Sequence, residues 1–553
     1  MKADEQGYRE VVSTHEVTNQ PPELIHNAFG DDTALREAIA TFGADPDDAG
    51  LMELGAMAGS HQAREWGRLA NEITPVLRTH DRYGNRIDEV EFHPAWHDLM
   101  TVAVSHGLHA AAWSADDKAA HVRRAAGFVT WSQAEAGHGC PISMTYAAVP
   151  ALRVDPAGAE QWEPGLASRE YDFGLRTPAS KRGLIAGMAM TEKQGGSDVR
   201  TNTTVATPVG DGYLLTGHKW FCSAPMSDVF LVLAQAPGGL TCFIVPRVLA
   251  DGTRNVFEIQ RLKDKLGNRS NASSEIEFNG TWAQRLGDEG RGVRTIVEMV
   301  SATRLDTVLG STALMRKALS EAVWHAEHRE AFGARLIDQP LMRQVLADMA
   351  LEVEAATWLG IRLAHAVDSA ESGSSEQAAL RRIALPMSKY YVCKRTPGLT
   401  FEAMECLGGV GYVEETGMPR LYREAPVNSI WEGSGNVNAL DLLRAISRNP
   451  ESLDAYLQNL APAAGCDEAF DTLLRDVLNA LAQNPAGAQA RARWLAEKMA
   501  LLLQAAILVQ YAPSVVSDAF IASRLRQAEG TYGVVDLGAH DVDAILARAA
   551  VGR

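Results

Sequence analysis

One carboxylate in the late part of the chain, Glu432, has neighbours that suit it to acid–base chemistry. It lies between the bulky side chains of Ile430 and Trp431 and the small, flexible run from Gly433 to Asn436. A carboxylate held against apolar side chains is poorly solvated when charged, so its pKa rises toward the value that a general base needs near neutral pH. The glycines let a flat ligand approach the backbone. The pattern predicts a general base beside a flat ligand. The same residues are also compatible with a surface glutamate that precedes an ordinary helix cap.

A helix is predicted directly after this turn, because apolar residues recur at helical spacing from Val437 to Ser447. Ser434 or Asn436 is expected to cap it, and its amino end then faces the same ligand. Just upstream, Arg423 and Glu424 are expected either to orient the turn or, more simply, to form a solvated surface pair.

Hydroxyls and glycines mark a second candidate site, from Met188 to Asp198. There Thr191 and Ser197 flank a glycine pair, so backbone amides and two side-chain donors converge on an anionic or carbonyl-rich ligand. A third patch, Gly217 to Ser223, ends a strand with an aromatic pair and another hydroxyl. Each patch alone is explained equally well by a glycine turn or a strand end. Together with the Glu432 turn, they predict one shared ligand.

Helices are expected to position these residues from both sides of a β domain. Up to Arg182 the chain is predicted to be mostly helical, over Leu51 to Glu72, Ala95 to Trp113 and Lys118 to Ala134. From Gly183 short apolar runs separated by Gly-Asp-Gly and Pro-Gly-Gly predict a compact antiparallel β domain that ends near Gly287.

Long helical patterns return after this domain and predict a bundle over Val293 to Ala331, Leu341 to Ser369 and Glu376 to Cys406. Two further helices are predicted beyond it, over Asp467 to Leu481 and Gln489 to Gln510. The expected fold is therefore multidomain α+β, with regions 1–182 (helical), 183–290 (β), 291–447 (helical bundle) and 448–553 (an extra helical domain).

Composition narrows the class of protein. The 553 residues exceed what one hydrophobic core supports, and 46% hydrophobic with 22% charged residues is typical of a soluble globular protein. A formal charge of -17 argues against a generally basic nucleic-acid surface, although a local basic patch is compatible with it. Six cysteines without paired spacing indicate reduced thiols in the cytoplasm.

Membrane and metal sites are not expected. Met1 to Glu10 is charged and lacks an apolar core, and the apolar run Ala500 to Val509 is too short to span a bilayer, so neither a signal peptide nor an anchor is predicted. Histidines one helical turn apart, at His93/His97 and His325/His328, have the spacing of metal ligands. No clustered carboxylate or cysteine completes either set, so surface or packing roles are favoured.

Three runs carry a family resemblance over nearly the whole chain. They are Met190-Thr-Glu-Lys-Gln-Gly-Gly-Ser-Asp, Lys263-Asp-Lys-Leu-Gly-Asn-Arg-Ser-Asn-Ala-Ser and Asn428-Ser-Ile-Trp-Glu-Gly-Ser-Gly-Asn. With the order helices, β domain, helices, the chain resembles the acyl-CoA dehydrogenase family of flavoproteins. Within that family it is most similar to the branch that acts in the bacterial adaptive response to DNA-alkylating agents.

The resemblance implies FAD as cofactor and Glu432 as catalytic base. It places Thr191 near the isoalloxazine edge, Ser197 toward the ribityl or phosphate side, and Phe221 to Ser223 against the other flavin face. The implied cofactor-binding residues are Met188, Met190, Thr191, Gly195, Gly196, Ser197, Phe221, Cys222, Ser223, Ile430, Trp431, Glu432, Gly433, Ser434, Gly435, Asn436 and Leu440.

The resemblance also implies a homotetramer. In several relatives a partner subunit reaches the adenosine end of the cofactor through two short motifs, which correspond here to Arg329, Phe332, Gly333, Leu407, Gly408 and Gly409. Two positions depart from the family pattern, since Lys193 replaces a proline and Phe221 a tryptophan. Both departures are compatible with FAD binding and count against ordinary acyl-CoA handling.

Two functions follow as hypotheses. The first is an FAD protein that binds double-stranded DNA and protects it from alkylation, with weak dehydrogenase activity on isovaleryl-CoA-like substrates. The alternative is a metabolic dehydrogenase for short or branched acyl-CoA without a DNA role. The region after Arg448 favours the first, because ordinary family members end soon after the bundle, although it could instead build the oligomer.

DNA contact in this region requires a local basic face, because twelve acidic and nine basic residues follow Ala445. The residues expected to form that face are Arg491, Arg493, Lys498, Arg524 and Arg526.

Overall fold

The computed structural model describes residues 14–482, 487–526, 530–538 and 540–552. The segment Met1 to Glu10, on which the expectation of no signal peptide rests, lies outside these residues.

The described part of the amino-terminal region, from residue 14 on, is mostly helical, as the sequence predicts, and contains seven α-helices. They span Thr33–Thr41 (α1), Ala49–Ala58 (α2), His61–Glu72 (α3), Pro94–Ser105 (α4), Ala120–Trp131 (α5), Gly139–Leu152 (α6) and Pro156–Leu166 (α7). Side chains of Asp32, Asp48 and Ser60 accept backbone N–H groups at the starts of α1, α2 and α3, which satisfies donors that a helix cannot pair internally.

A two-stranded hairpin, Val76–His80 (β1) with Arg86–Glu91 (β2), interrupts these helices and was not predicted. Its strands are mostly exposed or half-buried, so they lack the strong alternation that reveals a strand in sequence. The hairpin joins two regions, because Asp88 accepts the N–H of Ile259 at 2.9 Å and Arg247 donates to the Asp88 carbonyl.

The β domain is a seven-stranded sheet that closes on itself. Its strands are Ala186–Ala189 (β3), Val205–Val209 (β4), Gly212–Ser223 (β5), Val229–Ala236 (β6), Gly239–Pro246 (β7), Glu258–Leu262 (β8) and Ser273–Leu286 (β9). The order β6-β4-β5-β9-β7 returns to β6, and β3 and β8 pair with β6 and β9. The predicted antiparallel pairing is confirmed for β4–β5, β5–β9, β6–β7, β7–β9 and β8–β9, whereas β6 pairs in parallel with both β3 and β4.

Three long helices dominate the bundle, Gly292–His328 (α8), Pro340–Glu371 (α9) and Ser375–Cys406 (α10), close to their predicted bounds. A hairpin of two-residue strands, Glu330–Ala331 (β10) and Ala334–Arg335 (β11), separates α8 from α9. Short helices Met418–Glu424 (α11) and Val427–Ile430 (α12) then lead to Gly435–Arg448 (α13).

The carboxyl-terminal region packs against the helical bundle and shares its apolar core. Its helices are Pro450–Leu460 (α14), Glu468–Ala482 (α15), Ala488–Tyr511 (α16), Ser514–Ile521 (α17) and Val542–Ala549 (α18). Leu495 and Leu502 of α16 belong to the same continuous apolar core as residues of α1, α6 and α8, whereas the sheet interior around Phe230 and Phe243 forms a second core. Within the described ranges, no helix is long and apolar enough to cross a membrane.

Candidate active site

The predicted base lies on a sharp turn between α12 and α13. Glu432 has a φ of +56° and Gly433 a φ of +93°, two successive residues in the left-handed region. Glycine adopts this conformation readily, but a glutamate there is strained, which is typical of functional sites. Ser434 is the N-cap of α13, as expected, but its side chain makes no capping hydrogen bond.

Buried donors hold the carbonyl groups on both sides of Glu432. Lys389 of α10 donates from Nζ to the Trp431 carbonyl at 2.6 Å and to the Gly433 carbonyl. Arg304 of α8 donates to the carbonyl of Glu432 itself at 3.3 Å and pairs with Asp441 of α13 at 2.5 Å. The backbone of the turn is therefore fixed by two helices of the bundle.

The Glu432 carboxylate is half-buried and accepts the hydroxyl of Thr303 at 2.5 Å. Burial raises its pKa, while the Thr303 hydrogen bond and the charges of Lys389 and Arg304 oppose that rise. A raised pKa brings a carboxylate closer to the range of a general base, as the sequence pattern predicts.

The loop from Thr191 to Ser197 is organised by Glu192, which lies fully buried beneath it. Its carboxylate accepts two backbone N–H groups and two hydroxyls from Thr203 and Thr204, and pairs with Lys219 at 2.8 Å. A Cβ at Gly196 would come within 2.6 Å of the Thr191 hydroxyl, so only glycine fits there.

Lys193 shows why proline is absent after Glu192. Its backbone N–H donates to Nε2 of His218 at 3.0 Å, a bond that proline cannot make. The departure from the family pattern at this position therefore has a structural reason on the neighbouring strand β5.

The aromatic end of β5 borders the same loop, because the Trp220 N–H donates to the Thr191 carbonyl at 2.8 Å. Phe221 is 53% exposed, so its ring is accessible to a flat ligand. Cys222 points the other way and its side chain is buried in the sheet core, so it offers only backbone atoms to a ligand.

Cys140 of α6 lies near both the β domain and the predicted base, and the sequence did not predict it as a site residue. Its thiol lies against the side chains of Ser223 and Asn271 and within electrostatic reach of Lys265 and Glu432. Burial raises the thiol pKa to about 11, so the thiol is neutral at physiological pH. Through Cys140 the structure brings Ser223 and Glu432, 209 positions apart in sequence, to one site.

The remaining predicted residues divide by exposure. Exposed or half-buried around the site are Met190, Thr191, Gly195, Gly196, Ser197, Phe221, Ser223, Ile430, Trp431, Gly433, Ser434, Gly435, Asn436 and Leu440, whereas Met188 is buried in β3. Exposed apolar side chains, here Ile430 at 65% and Phe221, together with hydroxyls and tight glycines, suit a flat aromatic ring with a polar tail. The residues present therefore fit FAD.

Thr303, Arg304 and Lys389 were not predicted as site residues. Each lies within a helix whose neighbouring residues are buried, and Arg304 and Lys389 are themselves buried charges. A charged residue inside an apolar helical stretch is the sequence signal that marks Arg304 and Lys389, because an unpaired buried charge is costly and must meet a partner, whereas Thr303 carries no such signal.

The expectation of a solvated Arg423–Glu424 pair is wrong. Glu424 is buried and accepts the backbone and side-chain N–H groups of Asn268 at 2.6 and 2.7 Å, while Arg423 pairs with Glu414. Burial and the neighbouring Glu135 raise the pKa of Glu424 to about 7. This carboxylate therefore ties the β8–β9 loop to α11.

The predicted DNA-binding residues do not share one surface. Arg493 is exposed, Arg491 and Lys498 are half-buried, and Arg526 pairs with Asp467. The prediction for Arg524 is wrong, because this side chain is buried between Asp348 and Glu352 of α9.

The histidine pairs have packing roles. His93 caps α4, and His97 bonds the Tyr171 hydroxyl at 3.0 Å. His328 bonds the Trp324 carbonyl. In the part of the chain that the structure describes, no three His, Cys, Asp or Glu side chains are arranged to hold a metal ion.

Three family models match the chain: the AidB N-terminal domain over residues 19–173, the acyl-CoA dehydrogenase middle domain over 187–281 and the acyl-CoA dehydrogenase C-terminal domain over 290–447. The chain is 46% identical over 543 residues to "Putative acyl-CoA dehydrogenase AidB" of Escherichia coli (strain K12), which covers 98% of this chain and 99% of that protein. It is 30% identical over 478 residues to acyl-CoA dehydrogenase family member 11 of Caenorhabditis elegans, and this match covers 83% of this chain and 76% of that protein.

Solved structures agree over the full length. The crystal structure of Caenorhabditis elegans ACDH-11 in complex with C11-CoA matches with a TM-score of 0.86 at 28% identity, over 99% of this chain and 98% of that one. Bd2924 in its apo form matches with a TM-score of 0.81 at 31% identity, over 90% of this chain and 100% of that one.

The chain belongs to the acyl-CoA dehydrogenase family and is an FAD-dependent oxidoreductase of that type. The fold that the resemblance implied is confirmed. Within the family the relationship is to AidB, which the amino-terminal model and the full-length match both support.

Proposed function

We propose that the chain oxidises an acyl-CoA thioester at its α and β carbons, with Glu432 as the base. The observation that carries this proposal is the Glu432 turn, where Lys389 and Arg304 hold the backbone carbonyls, Thr303 donates to the half-buried carboxylate, and burial raises its pKa. A rigid, partly desolvated carboxylate suits removal of a weakly acidic proton, because little reorganisation is needed at the moment of transfer.

The residues of the chain act on the α carbon. The Glu432 carboxylate takes the α proton, and the electron pair left behind is stabilised on the thioester oxygen. The N–H of Glu432 meets no acceptor among the described residues, so it is free to donate to that oxygen. Bound FAD supplies the acceptor for the β hydrogen, which leaves with its electron pair.

An acyl-CoA is the proposed substrate class. The Caenorhabditis elegans relative was solved with C11-CoA, and it matches this chain over nearly its whole length. Isovaleryl-CoA is the first substrate to test, in line with the short branched chain expected from the sequence.

The test replaces Glu432 by glutamine, which keeps the size of the side chain and removes its basicity. Glu432→Gln is expected to slow anaerobic flavin bleaching by isovaleryl-CoA by at least about 100-fold while FAD stays bound. The exposed Glu405→Gln is the matched control and should bleach like the parent protein. Unchanged bleaching in Glu432→Gln would assign the base to another residue.

We also propose the second activity that the AidB relationship suggests, protection of double-stranded DNA from alkylation through direct binding. What supports it is an exposed basic group on α16. Arg493 is exposed and donates to the Tyr390 hydroxyl of α10 at 3.1 Å, and the pKa of the neighbouring Lys394 is lowered by burial and, further, by the charge of Arg493. Two neighbouring cations that repel each other are stabilised by a phosphate between them.

Fluorescence anisotropy with a labelled duplex over a salt series tests this binding. Binding is expected to be loosely sequence-dependent and to weaken steeply with salt, and Arg491→Glu/Arg493→Glu should weaken it and reduce the log–log salt slope by about 1 to 2. Arg82→Glu, an exposed arginine on the β1–β2 hairpin, is the matched control. Equal affinity and slope in the double variant would contradict the assigned surface.

The proposed assembly is a homotetramer. Its support is the apolar surface at one end of the bundle, where Leu341 is 84% exposed and Phe332 fully exposed. A partner subunit that covered both side chains would remove their apolar surface from water.

A further inference from the structure

Lys389 is an unusual buried lysine, because its partners are backbone carbonyls and not a carboxylate. It lies in the middle of α10 and is 1% exposed. Among the described residues, no carboxylate lies within ion-pair distance of it, whereas the buried Lys219 and Lys317 each pair with a glutamate. Its Nζ donates to the carbonyls of Trp431 and Gly433, the residues on either side of Glu432.

These two bonds determine where the neighbouring N–H groups point. A peptide unit is planar and trans, so the C=O of one residue and the N–H of the next point in opposite directions. Holding the Trp431 carbonyl toward Lys389 therefore directs the Glu432 N–H away from α10. Likewise, holding the Gly433 carbonyl toward Lys389 directs the Ser434 N–H away from α10. Among the described residues, neither N–H donates to a protein acceptor.

The bonds also maintain a strained backbone. Glu432 and Gly433 both have positive φ, and for a glutamate this conformation is strained and persists only where surrounding contacts enforce it. Asn438 adds a donor to the Gly433 carbonyl from α13. Lys389 is the group that reaches the carbonyls on both sides of Glu432.

We propose that Lys389 is a positioning residue for the acyl-CoA reaction: it orients the Glu432 N–H toward the thioester oxygen and holds the Glu432 carboxylate in the geometry for proton removal. The inference rests on the proposed role of Glu432 and deepens it. Lys389 itself touches neither the reacting carbons nor the thioester.

The central variant is Lys389→Met, which keeps most of the side-chain volume and removes the hydrogen bonds to the Trp431 and Gly433 carbonyls. In the FAD-loaded protein, the rate of anaerobic flavin reduction at saturating isovaleryl-CoA should fall by about 10- to 100-fold, because a displaced catalytic group loses near-attack geometry. The substrate concentration at half-maximal rate should change by less than about threefold, since the N–H bond strengthens mainly as charge develops on the thioester oxygen.

The matched control is Lys317→Met. Lys317 is a largely buried lysine on α8, but it bonds the Glu321 carboxylate, which keeps Arg64 as a second partner. This variant should reduce flavin at the parent rate. If it slows reduction as much as Lys389→Met does, general loosening of the bundle explains both and the inference is wrong.

A second measurement does not depend on turnover. Hydrogen–deuterium exchange should rise in the peptide spanning residues 427–436 of Lys389→Met, and not in that of Lys317→Met. Exchange at the parent level in Lys389→Met would overturn the inference, because the turn would then hold its shape without the lysine.

The pH profile separates positioning from general destabilisation. The charged or titratable groups that face Glu432 are Lys389 of α10, Arg304 of α8, paired with Asp441 of α13, and Cys140 of α6. Removing the cation at 389 raises the pKa of Glu432, and a base works only when deprotonated, so the acid limb of flavin reduction should move to higher pH. An unmoved acid limb contradicts the inference.

Lys389→Gln covers the case in which Lys389→Met does not fold. Its amide can still donate to one carbonyl, so a smaller rate loss is expected with the same shift of the acid limb. Parent-like rate and pH profile in this variant would overturn the inference. If instead Glu432→Gln reduces flavin normally, the proposed base fails, and the exchange result still decides whether Lys389 holds the turn.

Discussion

Glu192 shows how a single buried residue supports the cofactor loop. Its carboxylate is fully buried and accepts six hydrogen bonds, of which the one from Lys219 comes from a charged group. The charge of Lys219 and these hydrogen bonds hold the pKa of Glu192 well below its ordinary value, against the effect of burial. The folded state therefore binds this proton less readily than the unfolded chain does.

The first prediction at the residue scale concerns Glu192→Gln. Breaking a buried ion pair on one side leaves Lys219 unpaired, so the β domain should lose about 3–5 kcal/mol of stability at pH 7. Because the folded pKa is depressed, the stabilisation by the carboxylate is present above the unfolded pKa and is lost as pH falls through the folded value.

Thermal unfolding at several pH values tests this prediction. The difference in Tm between parent and Glu192→Gln should be largest at neutral pH and shrink as the pH drops below about 4. The exposed Glu277→Gln on β9 is the control and should unfold like the parent. A pH-independent difference would show that the carboxylate charge does not matter.

At the scale of elements, the carboxyl-terminal region is tied into the fold by buried charges. Arg524 bonds Asp348 and Glu352 of α9, and the N–H of Gly533 donates to Asp348. Further along, Arg548 pairs with Glu354 of α9 and Glu37 of α1. These contacts and the shared apolar core make residues after 448 part of the bundle, so a chain ended at Ser447 would expose core side chains of α9 and α10.

The prediction at this scale compares two neighbouring arginines. Arg524→Met removes the charged partner of buried Asp348 and one of the two arginine partners of Glu352, which keeps Arg395, and should cost about 3–5 kcal/mol. Arg526→Met removes an exposed pair with Asp467 and should cost at most about 1 kcal/mol. Urea unfolding followed by tryptophan fluorescence measures both, and equal effects would contradict the assigned burial.

The whole molecule presents an apolar end that the single chain does not cover. Phe332 has a positive φ and its ring is fully exposed, at the tip of the β10–β11 hairpin. A bulky residue in this conformation that buries nothing in its own chain is expected to meet a second copy, as the family resemblance also implies.

The prediction at the scale of the molecule is therefore about assembly. Phe332→Ser should lower the oligomeric mass seen by light scattering and weaken FAD retention, while circular dichroism stays unchanged. Tyr83→Ser, at the exposed tip of the β1–β2 hairpin, is the control and should keep the parent mass. A parent-like mass for Phe332→Ser would remove this hairpin from the interface.

Elements with strong periodicity and residues in local motifs were predictable from the amino-acid sequence. Helices α8, α9 and α10 were predicted within a few residues, because apolar spacing over more than thirty positions leaves no other regular structure. The turn at Glu432 and the capping position of Ser434 were also predicted, since glycines and small polar residues act over a few positions. The parallel pairing of β6 was not predicted, because the neighbours of a strand depend on how the whole sheet assembles and not on the residues of that strand alone.

The role of each charged side chain, in contrast, follows from contacts between segments that are distant in sequence. Thr303 and Glu432 are 129 positions apart, and Arg524 and Glu352 are 172 apart, so no local pattern connects them. Whether an arginine binds DNA or stabilises a core depends on burial, and burial of a polar side chain depends on which helices meet over it. Lys389 illustrates the same limit: its partners are main-chain carbonyls, whose positions follow from the folded backbone and not from residue types.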